Sequence, residues 1–378
     1  MARIGIDYTA AIYQQAGIGR YVRELVAALA DSAGEQDDKF VLFVAGTRGD
    51  RPPAPSGCRY APSILSERTH ARVWHRLKLP LPVELWTGRV DAFHATDFTL
   101  PRTRPLTRTV LTIHDLAFEK YPDETMPGML DFLRSAVPES AQRADHIIAV
   151  SEATRRDVID MYSVPAEKVT AIAHGVSTPY SPVVSGRETA VRDNYRLRDG
   201  PFVLTVGTLQ PRKNHLRLVQ AFARVRSDAS LVIAGGKGWH YAAVRSEVER
   251  LNLGERVIFT GFVADADLPD LYRAATVFAY PALYEGFGLP ALEAMACGVP
   301  VVASNTSSLP EVVGEAGLLV DPMDVDALAD AISHVLEDSA LRADLRDKAL
   351  ARAKQFTWQH TAEMTRQVYR NLLNDAPG

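Results

Sequence analysis

The sequence predicts an α/β protein made of two halves, each a parallel sheet wrapped by helices. Three observations carry this. Short β-branched runs alternate with longer segments of helical period, the pattern of right-handed βαβ units. The alternation breaks at residues 177–185, which hold Pro179, Pro182 and several serines, and then restarts. The 378 residues suit two domains at about 150 residues each.

In the first half, residues 3–6 read as a strand. Residues 19–29 follow as a helix, with Val22, Leu25, Val26 and Leu29 at i, i+3, i+4 and i+7. Residues 40–45, 92–96 and 109–114 read as further strands, 129–143 as a helix and 145–150 as a strand. Ser151 suits the N-cap of the next helix, and Glu152 then sits at the positive end of its dipole. Strand 169–173 closes this half. In the second half, strands are expected at 202–206, 231–234, 257–260, 277–279, 299–303 and 317–320. Helices are expected at 217–226, 241–251, 268–275 and 327–336. Ligands of such sheets bind outside the carboxyl ends of the strands, which here means a cleft between the halves.

Composition narrows the function. Hydrophobic residues make up 47% of the chain, enough for sizeable cores and too much for a disordered protein. Lys and Arg number 42 against 46 Asp and Glu, so no basic excess points to nucleic acid. Two distant cysteines, Cys58 and Cys297, exclude a disulfide framework and suit a reducing compartment. No apolar run approaches the ~20 residues of a membrane span. The opening residues enter a strand pattern at once, leaving no stretch for a signal peptide, so a cytoplasmic protein is expected.

Four motifs could carry chemistry. Ala16-Gly17-Ile18-Gly19-Arg20 stands between the first strand and first helix. Its glycines allow a backbone approach to phosphate, or simply make a turn; Val22 occupies the place of the third glycine of a dinucleotide fingerprint. Gly207-Thr208-Leu209-Gln210-Pro211-Arg212-Lys213-Asn214 follows the first strand of the second half. Arg212 and Lys213 put two cations at a helix start, an unfavourable end of the dipole unless an anion joins them. A diphosphate is that anion in one reading; a solvated helix start is the other. Glu285-Gly286-Phe287-Gly288-Leu289-Pro290 leads into a short Ala-rich helix carrying Glu293, with Gly298 as its C-terminal cap. Two carboxylates, which accept well from sugar hydroxyls, flank a loop whose glycines free amides for an anion. The plainer alternative has Glu285 complementing the helix dipole and Glu293 in solvent. His114 ends a strand in Thr112-Ile113-His114-Asp115. It suits a general base, a sugar ligand or a hydrogen-bonded core residue.

Two Asp-x-Asp pairs, Asp265/Asp267 and Asp324/Asp326, precede helical patterns and are read as N-caps rather than metal ligands. No His/Cys/Glu cluster has zinc spacing. Residues 51–108 hold ten Lys/Arg against four Asp/Glu, and within 67–79 the bases interleave with Val73, Trp74, Leu77 and Leu79. That stretch is either a solvated helix face or a peripheral contact with an anionic membrane.

Together these residues resemble the group 1, or family 4, retaining glycosyltransferases. Glu285 and Glu293, with seven residues between, are similar to that family's signature, and 206–214 to its phosphate loop. Ala149-Val-Ser-Glu-Ala-Thr, His174-Gly-Val and Thr260-Gly-Phe-Val resemble further landmarks. The resemblance implies the GT-B fold: two Rossmann-like domains facing across a cleft, with the last helix crossing back. The implied domains are an acceptor-binding 1–180, joined by the crossing helix 358–378, and a nucleotide-sugar-binding 181–357. It implies that Arg212 and Lys213 hold the donor diphosphate, that Glu293 binds the ribose, and that Glu285 with the amides of Gly286, Phe287, Gly288 and Leu289 binds the transferred sugar and its phosphate. His114 would contact that sugar, Gly17 and Gly19 would lie by the diphosphate or acceptor, and Phe262 and Val263 would border the base. Thr208 departs from the family pattern, where many members carry Arg.

The motifs read most like bacterial mannosyltransferases. The expected reaction moves mannose from GDP-mannose to a glycan or lipid-linked acceptor in surface polysaccharide, lipopolysaccharide or glycolipid synthesis, without a metal or other cofactor. A UDP-sugar donor, a sugar-nucleotide epimerase and a non-catalytic sugar-nucleotide-binding regulator are the alternatives. A glycosidase also uses two glutamates, but needs neither the Gly-rich anion loop nor the Arg-Lys pair.

Overall fold

The structure is a computed structural model that describes residues 2–14, 17–31, 38–46, 51–238 and 241–374. Ala16 of the first glycine loop and residues 375–378 of the expected crossing helix lie outside the described residues. The chain divides into two compact units, Met1–Gly175 with Thr357–Gly378, and Val176–Phe356.

The first unit is built on a seven-stranded sheet, ordered β3-β2-β1-β4-β5-β6-β7. Its strands are β1 (Arg3–Asp7), β2 (Lys39–Ala45), β3 (Cys58–Ser63), β4 (Ala92–Ala95), β5 (Arg108–Ile113), β6 (His146–Ala149) and β7 (Val169–Ala171). All pairs are parallel, with Ile4 opposite Phe40 on one side and Ala92 on the other. Parallel strands need both faces covered, which explains their apolar runs. The helix Ile18–Asp31 covers one face with the expected stripe, and Val22, Leu25, Val26 and Leu29 are all fully buried. The C-terminal helix Trp358–Asn374 lies in the same core, where Trp358, Ala362, Val368 and Tyr369 pack with that stripe. Arg366 donates to the Leu29 carbonyl, and Thr361 Oγ1 to the Ala173 carbonyl at 2.8 Å. The Tyr369 hydroxyl meets His94 Nδ1 at 2.7 Å in the buried interior.

The second unit has a six-stranded sheet, ordered β10-β9-β8-β11-β12-β13, again all parallel. Its strands are β8 (Phe202–Val206), β9 (Ser230–Ala234), β10 (Val257–Gly261), β11 (Val277–Tyr280), β12 (Val301–Ser304) and β13 (Gly317–Val320). Helices His215–Phe222 and Val325–Glu337 pack their apolar faces on one side of this sheet. Two parallel β/α units with a long C-terminal helix returning to the first are the GT-B architecture.

Several local expectations hold and others do not. Ser151 caps Glu152–Tyr162 by accepting from the Thr154 amide at 3.0 Å, and Asp324 caps the Ala327 amide at 2.9 Å. Asp267 stands at an N-cap position but makes no cap bond; its carboxylate takes Arg187 and the Tyr195 hydroxyl instead. A charged donor outcompetes a backbone amide there. Edge strand β3 was not expected, because Arg59 and Pro62 break its apolar pattern; both suit an edge. The basic stretch is not one amphipathic helix. A short helix Glu67–Ala71 runs into a π-helical turn Arg72–Arg76, and the chain then leaves helical structure with Leu77 and Leu79 exposed. Among the described residues no helix is long and apolar enough to cross a membrane.

Candidate active site

In the second unit, loops after β8 and β11 meet at the carboxyl ends of their strands. The β8 loop carries Arg212 and Lys213 on a single 3-10 turn, Pro211–Lys213. Asn214 follows in the left-handed region at φ 60°, and its Nδ2 donates to the carbonyls of Pro281 at 3.0 Å and Pro322 at 2.7 Å. The Leu283 amide donates to the Arg212 carbonyl at 2.7 Å. These bonds lock one loop to the other, so both cations are held where β11 delivers Glu285.

Glu285 Oε1 accepts from three groups: the Lys213 ammonium, Arg212 Nη1 at 3.3 Å and the Tyr280 hydroxyl at 3.0 Å. Lys213 also donates to the Tyr280 hydroxyl at 2.8 Å. The three charged side chains are only 10–18% exposed. Burial pushes the Glu285 carboxyl up, but Lys213 and then Arg212 more than offset it and hold it below the usual range. Burial, with Glu285 adding to it, keeps the Tyr280 phenol protonated well above its ordinary range. The anion that the two cations require at the start of helix His215–Phe222 is therefore Glu285 in this structure.

Glu285 continues into the helix Leu289–Ala296 through a tightly bonded loop. Its amide donates to Ser307 Oγ at 3.0 Å, and the Ser308 hydroxyl bonds to the Glu285 and Phe287 carbonyls at 2.9 and 2.8 Å. Gly288 caps the helix at φ 103°, and a Cβ there would lie 2.6 Å from Leu309 Cδ2. The left-handed φ demands glycine, and the Leu309 methyl would have to shift for any Cβ. Gly286, Phe287 and Gly288 are buried, and Leu289 and Pro290 half-buried. Glu293 is buried and accepts from the Tyr272 hydroxyl at 3.0 Å, which excludes the solvated reading. Thr208 is exposed beside Gly207. At the end of β10, Phe262 is 61% exposed while Val263 is buried, so only the ring is offered to solvent.

In the first unit, the two loop glycines differ. Gly17 has φ 55° and open space around it. Gly19 starts a helix, and a Cβ on it would sit 1.9 Å from the Gln14 carbonyl oxygen. That closeness requires glycine where the chain leaving helix Thr9–Tyr13 passes helix Ile18–Asp31. His114 follows β5, buried, with Nε2 2.8 Å from the Thr96 carbonyl; that partner assigns the proton to Nε2. Burial lowers its pKa, against the Thr96 carbonyl and Asp115, so the ring is neutral at neutral pH. Its edge packs on Tyr21 at 4.9 Å and Phe98 at 5.7 Å.

Sequence reasoning missed Tyr280, Tyr272, Ser307 and Ser308, which hold the two glutamates. It also missed Asp7 and Asp97, at the carboxyl ends of β1 and β4. Burial raises their carboxyls to about 6 and about 7. An acid directly after an apolar strand was the available signal. Among the described residues no group of three His, Cys, Asp or Glu side chains is placed to hold a metal ion.

Residues 16–179 match the family described as Glycosyltransferase Family 4, and residues 187–352 that described as Glycosyl transferases group 1. O-antigen chain mannosyltransferase B of Escherichia coli is 35% identical over 378 residues, covering 95% of this chain and 97% of that protein. The chain belongs to the group 1, family 4 glycosyltransferases. A D-inositol 3-phosphate glycosyltransferase of Acidothermus cellulolyticus is 32% identical, covering 94% of this chain and 86% of that one. Among solved structures, sucrose-phosphate synthase from Thermosynechococcus elongatus superposes with a TM-score of 0.78 at 27% identity over the full length of both chains. As a member of this family the chain is a nucleotide-sugar-dependent glycosyltransferase acting on a glycan or lipid acceptor.

Proposed function

We propose that this glycosyltransferase moves a mannosyl group from GDP-mannose, with retention and without a metal, to a glycan or lipid-linked acceptor in the synthesis of a cell-surface polysaccharide, lipopolysaccharide or glycolipid on the cytoplasmic side. One observation carries the donor site: two half-buried cations, Arg212 and Lys213, held beside Glu285 ahead of a helix N-terminus. The choice of mannose rests on the 35% identity to the E. coli O-antigen chain mannosyltransferase B.

In this reading the diphosphate takes Arg212, Lys213 and the amides of Gly286 to Leu289. Glu293 receives the ribose hydroxyls, Glu285 and His114 the transferred sugar, and Phe262 and Val263 the base. Gly17 and Gly19 lie on the diphosphate or acceptor side. The C1–O bond to the β-phosphate breaks and its electron pair stays on the leaving diphosphate. The acceptor oxygen bonds C1 from the same face, and its proton passes to a leaving phosphate oxygen, so no separate protein base is needed. The protein's part is preorganised positive charge where negative charge grows, which is usually the largest catalytic term.

The test is thermal stabilisation by GDP, GDP-mannose, UDP and UDP-glucose with EDTA present. A hundredfold excess over Kd adds about 2.7 kcal/mol to the native state. A shift with the guanosine pair supports the reading. A shift with the uridine pair alone replaces mannose and GDP, and no shift with any of the four removes the donor site.

Peripheral membrane contact belongs to 67–79 in this reading, because exposed Leu77 and Leu79 alternate with exposed Arg76 and Lys78. Flotation with vesicles containing anionic lipid should be lost on Leu77→Ser with Leu79→Ser. Equal flotation of that variant would remove the assignment.

A further inference from the structure

We propose that Glu285 is an internal counter-ion that competes with the diphosphate for Arg212 and Lys213, and so weakens the hold on the nucleoside diphosphate left after transfer. This rests on the donor-site reading above.

Arg212, Lys213 and Glu285 are drawn together in the structure, and Arg212 Nη1 also donates to the Tyr284 carbonyl at 3.1 Å. Both cations converge on the same carboxylate oxygen, Oε1, and Tyr280 joins that oxygen as well. A phosphate that engages the two cations therefore competes with Glu285 for their charge and draws them from it. The displaced carboxylate would keep the Tyr280 hydroxyl, and it sits in a place from which water is largely excluded. A buried carboxylate stripped of its charge partners is costly unless new donors reach it. An intact sugar donor brings such donors, its hydroxyls. A nucleoside diphosphate brings none to Glu285, because its ribose hydroxyls go to Glu293 in the reading above. The carboxylate thus opposes the product more than the substrate, and it draws the cations back once the sugar has left.

A neutral side chain at this position removes the competitor. Close charge pairs at an interface couple strongly enough that Glu285→Gln should tighten nucleoside diphosphate binding about tenfold or more. The gain for the sugar nucleotide should be smaller, because the variant also weakens the bond to the sugar. The ratio of the two affinities moves toward the diphosphate, while turnover falls. Product inhibition by the diphosphate rises in step.

Titration calorimetry of the full chain with GDP, GDP-mannose, UDP and UDP-glucose reads this directly. Wild type, Glu285→Gln, Glu285→Ala and Lys213→Met are compared, each checked for native near-ultraviolet dichroism. Tighter diphosphate binding in a folded Glu285 variant, against weaker binding in Lys213→Met, is the expected result. If the Glu285 variants bind diphosphate no better than wild type, or lose it as Lys213→Met does, Glu285 only positions the cations and the inference is overturned. If wild type binds none of the four nucleotides, it is the donor-site reading that has failed.

Discussion

Lys213 shows what a single residue decides. Its ammonium bonds Glu285 and Tyr280, and its stem lies over Gly207, 3.7 Å from where a Cβ there would be. Lys213→Met keeps the stem and deletes the charge. Removing one such preorganised donor should lower turnover by about 10²–10³. A radiolabelled sugar-transfer assay checks this, and a fall under tenfold would take Lys213 out of the machinery. The glycines make a second test. Gly19→Ala drives a Cβ into the Gln14 carbonyl and should cost about 3 kcal/mol of stability by urea unfolding. Gly17→Ala meets open space at φ 55° and should cost only about 1–2 kcal/mol, the strain of a left-handed residue. Equal losses would show that the two positions are not distinct. The chemical types at the site were legible: Arg212, Lys213, Glu285 and Glu293 all stood out in the sequence. The tyrosines that hold the glutamates did not, because a tyrosine in an apolar run reads as core until its hydroxyl's partner is known. Gly19 illustrates the same gap, since no sequence pattern shows that the Gln14 carbonyl leaves no room for a Cβ there.

At the scale of elements, periodicity located strands and helices well wherever one face is buried. Val22, Leu25, Val26 and Leu29 define their helix in the sequence and in the core. It failed where sterics or charge set the backbone. Edge strand β3 mixes Arg59, Tyr60 and Pro62, and the helix Ser339–Ala353 is so rich in charge that its apolar stripe, Leu345, Ala349 and Ala353, is thin. The C-terminal helix, which the family resemblance implied, brings one polar contact that no pattern reveals. Tyr369 bonds His94, whose other nitrogen bonds Thr112 Oγ1 at 2.7 Å, and Thr112 meets the Tyr21 hydroxyl at 3.1 Å. This chain of bonds joins the last helix to β4, β5 and the helix Ile18–Asp31. Tyr369→Phe leaves His94 Nδ1 buried without its partner and should cost about 1–3 kcal/mol. Urea unfolding of the variant measures it, and a loss below experimental error would mean that water replaces the hydroxyl.

At the scale of the molecule, the two units should respond differently to acid. In the first unit burial lowers His70 and His75 to about 4 and His94 to about 3, and also lowers His114, His146 and His174. In the second, His215 falls to about 3, again through burial. A histidine whose folded pKa lies below its unfolded value, about 6.5, binds its proton more readily in the unfolded chain. Its contribution is complete above about pH 6.5 and is lost as pH falls toward the folded value. Asp7 and Asp97 act the other way, since their folded values of about 6 and about 7 exceed the unfolded ones; they favour the first unit as pH falls from about 7 to about 4. Six histidines against two carboxylates leave the first unit losing stability below about pH 6.5. The second unit has depressed carboxyls instead: Glu285 through its cations, and Glu247, near 2 through Arg250 and Gln220. Their contribution is complete above the unfolded value of about 4.3 and is lost only as pH falls from there toward the folded values. Hydrogen exchange at pH 7 and pH 5 should therefore show opening that rises in the peptides of 1–175 and 357–374 more than in those of 176–356. Asp97→Asn should steepen the first unit's loss between pH 7 and pH 5, by removing a group that gains there. Equal opening of both units at pH 5 would mean that the buried histidines do not control the acid limit.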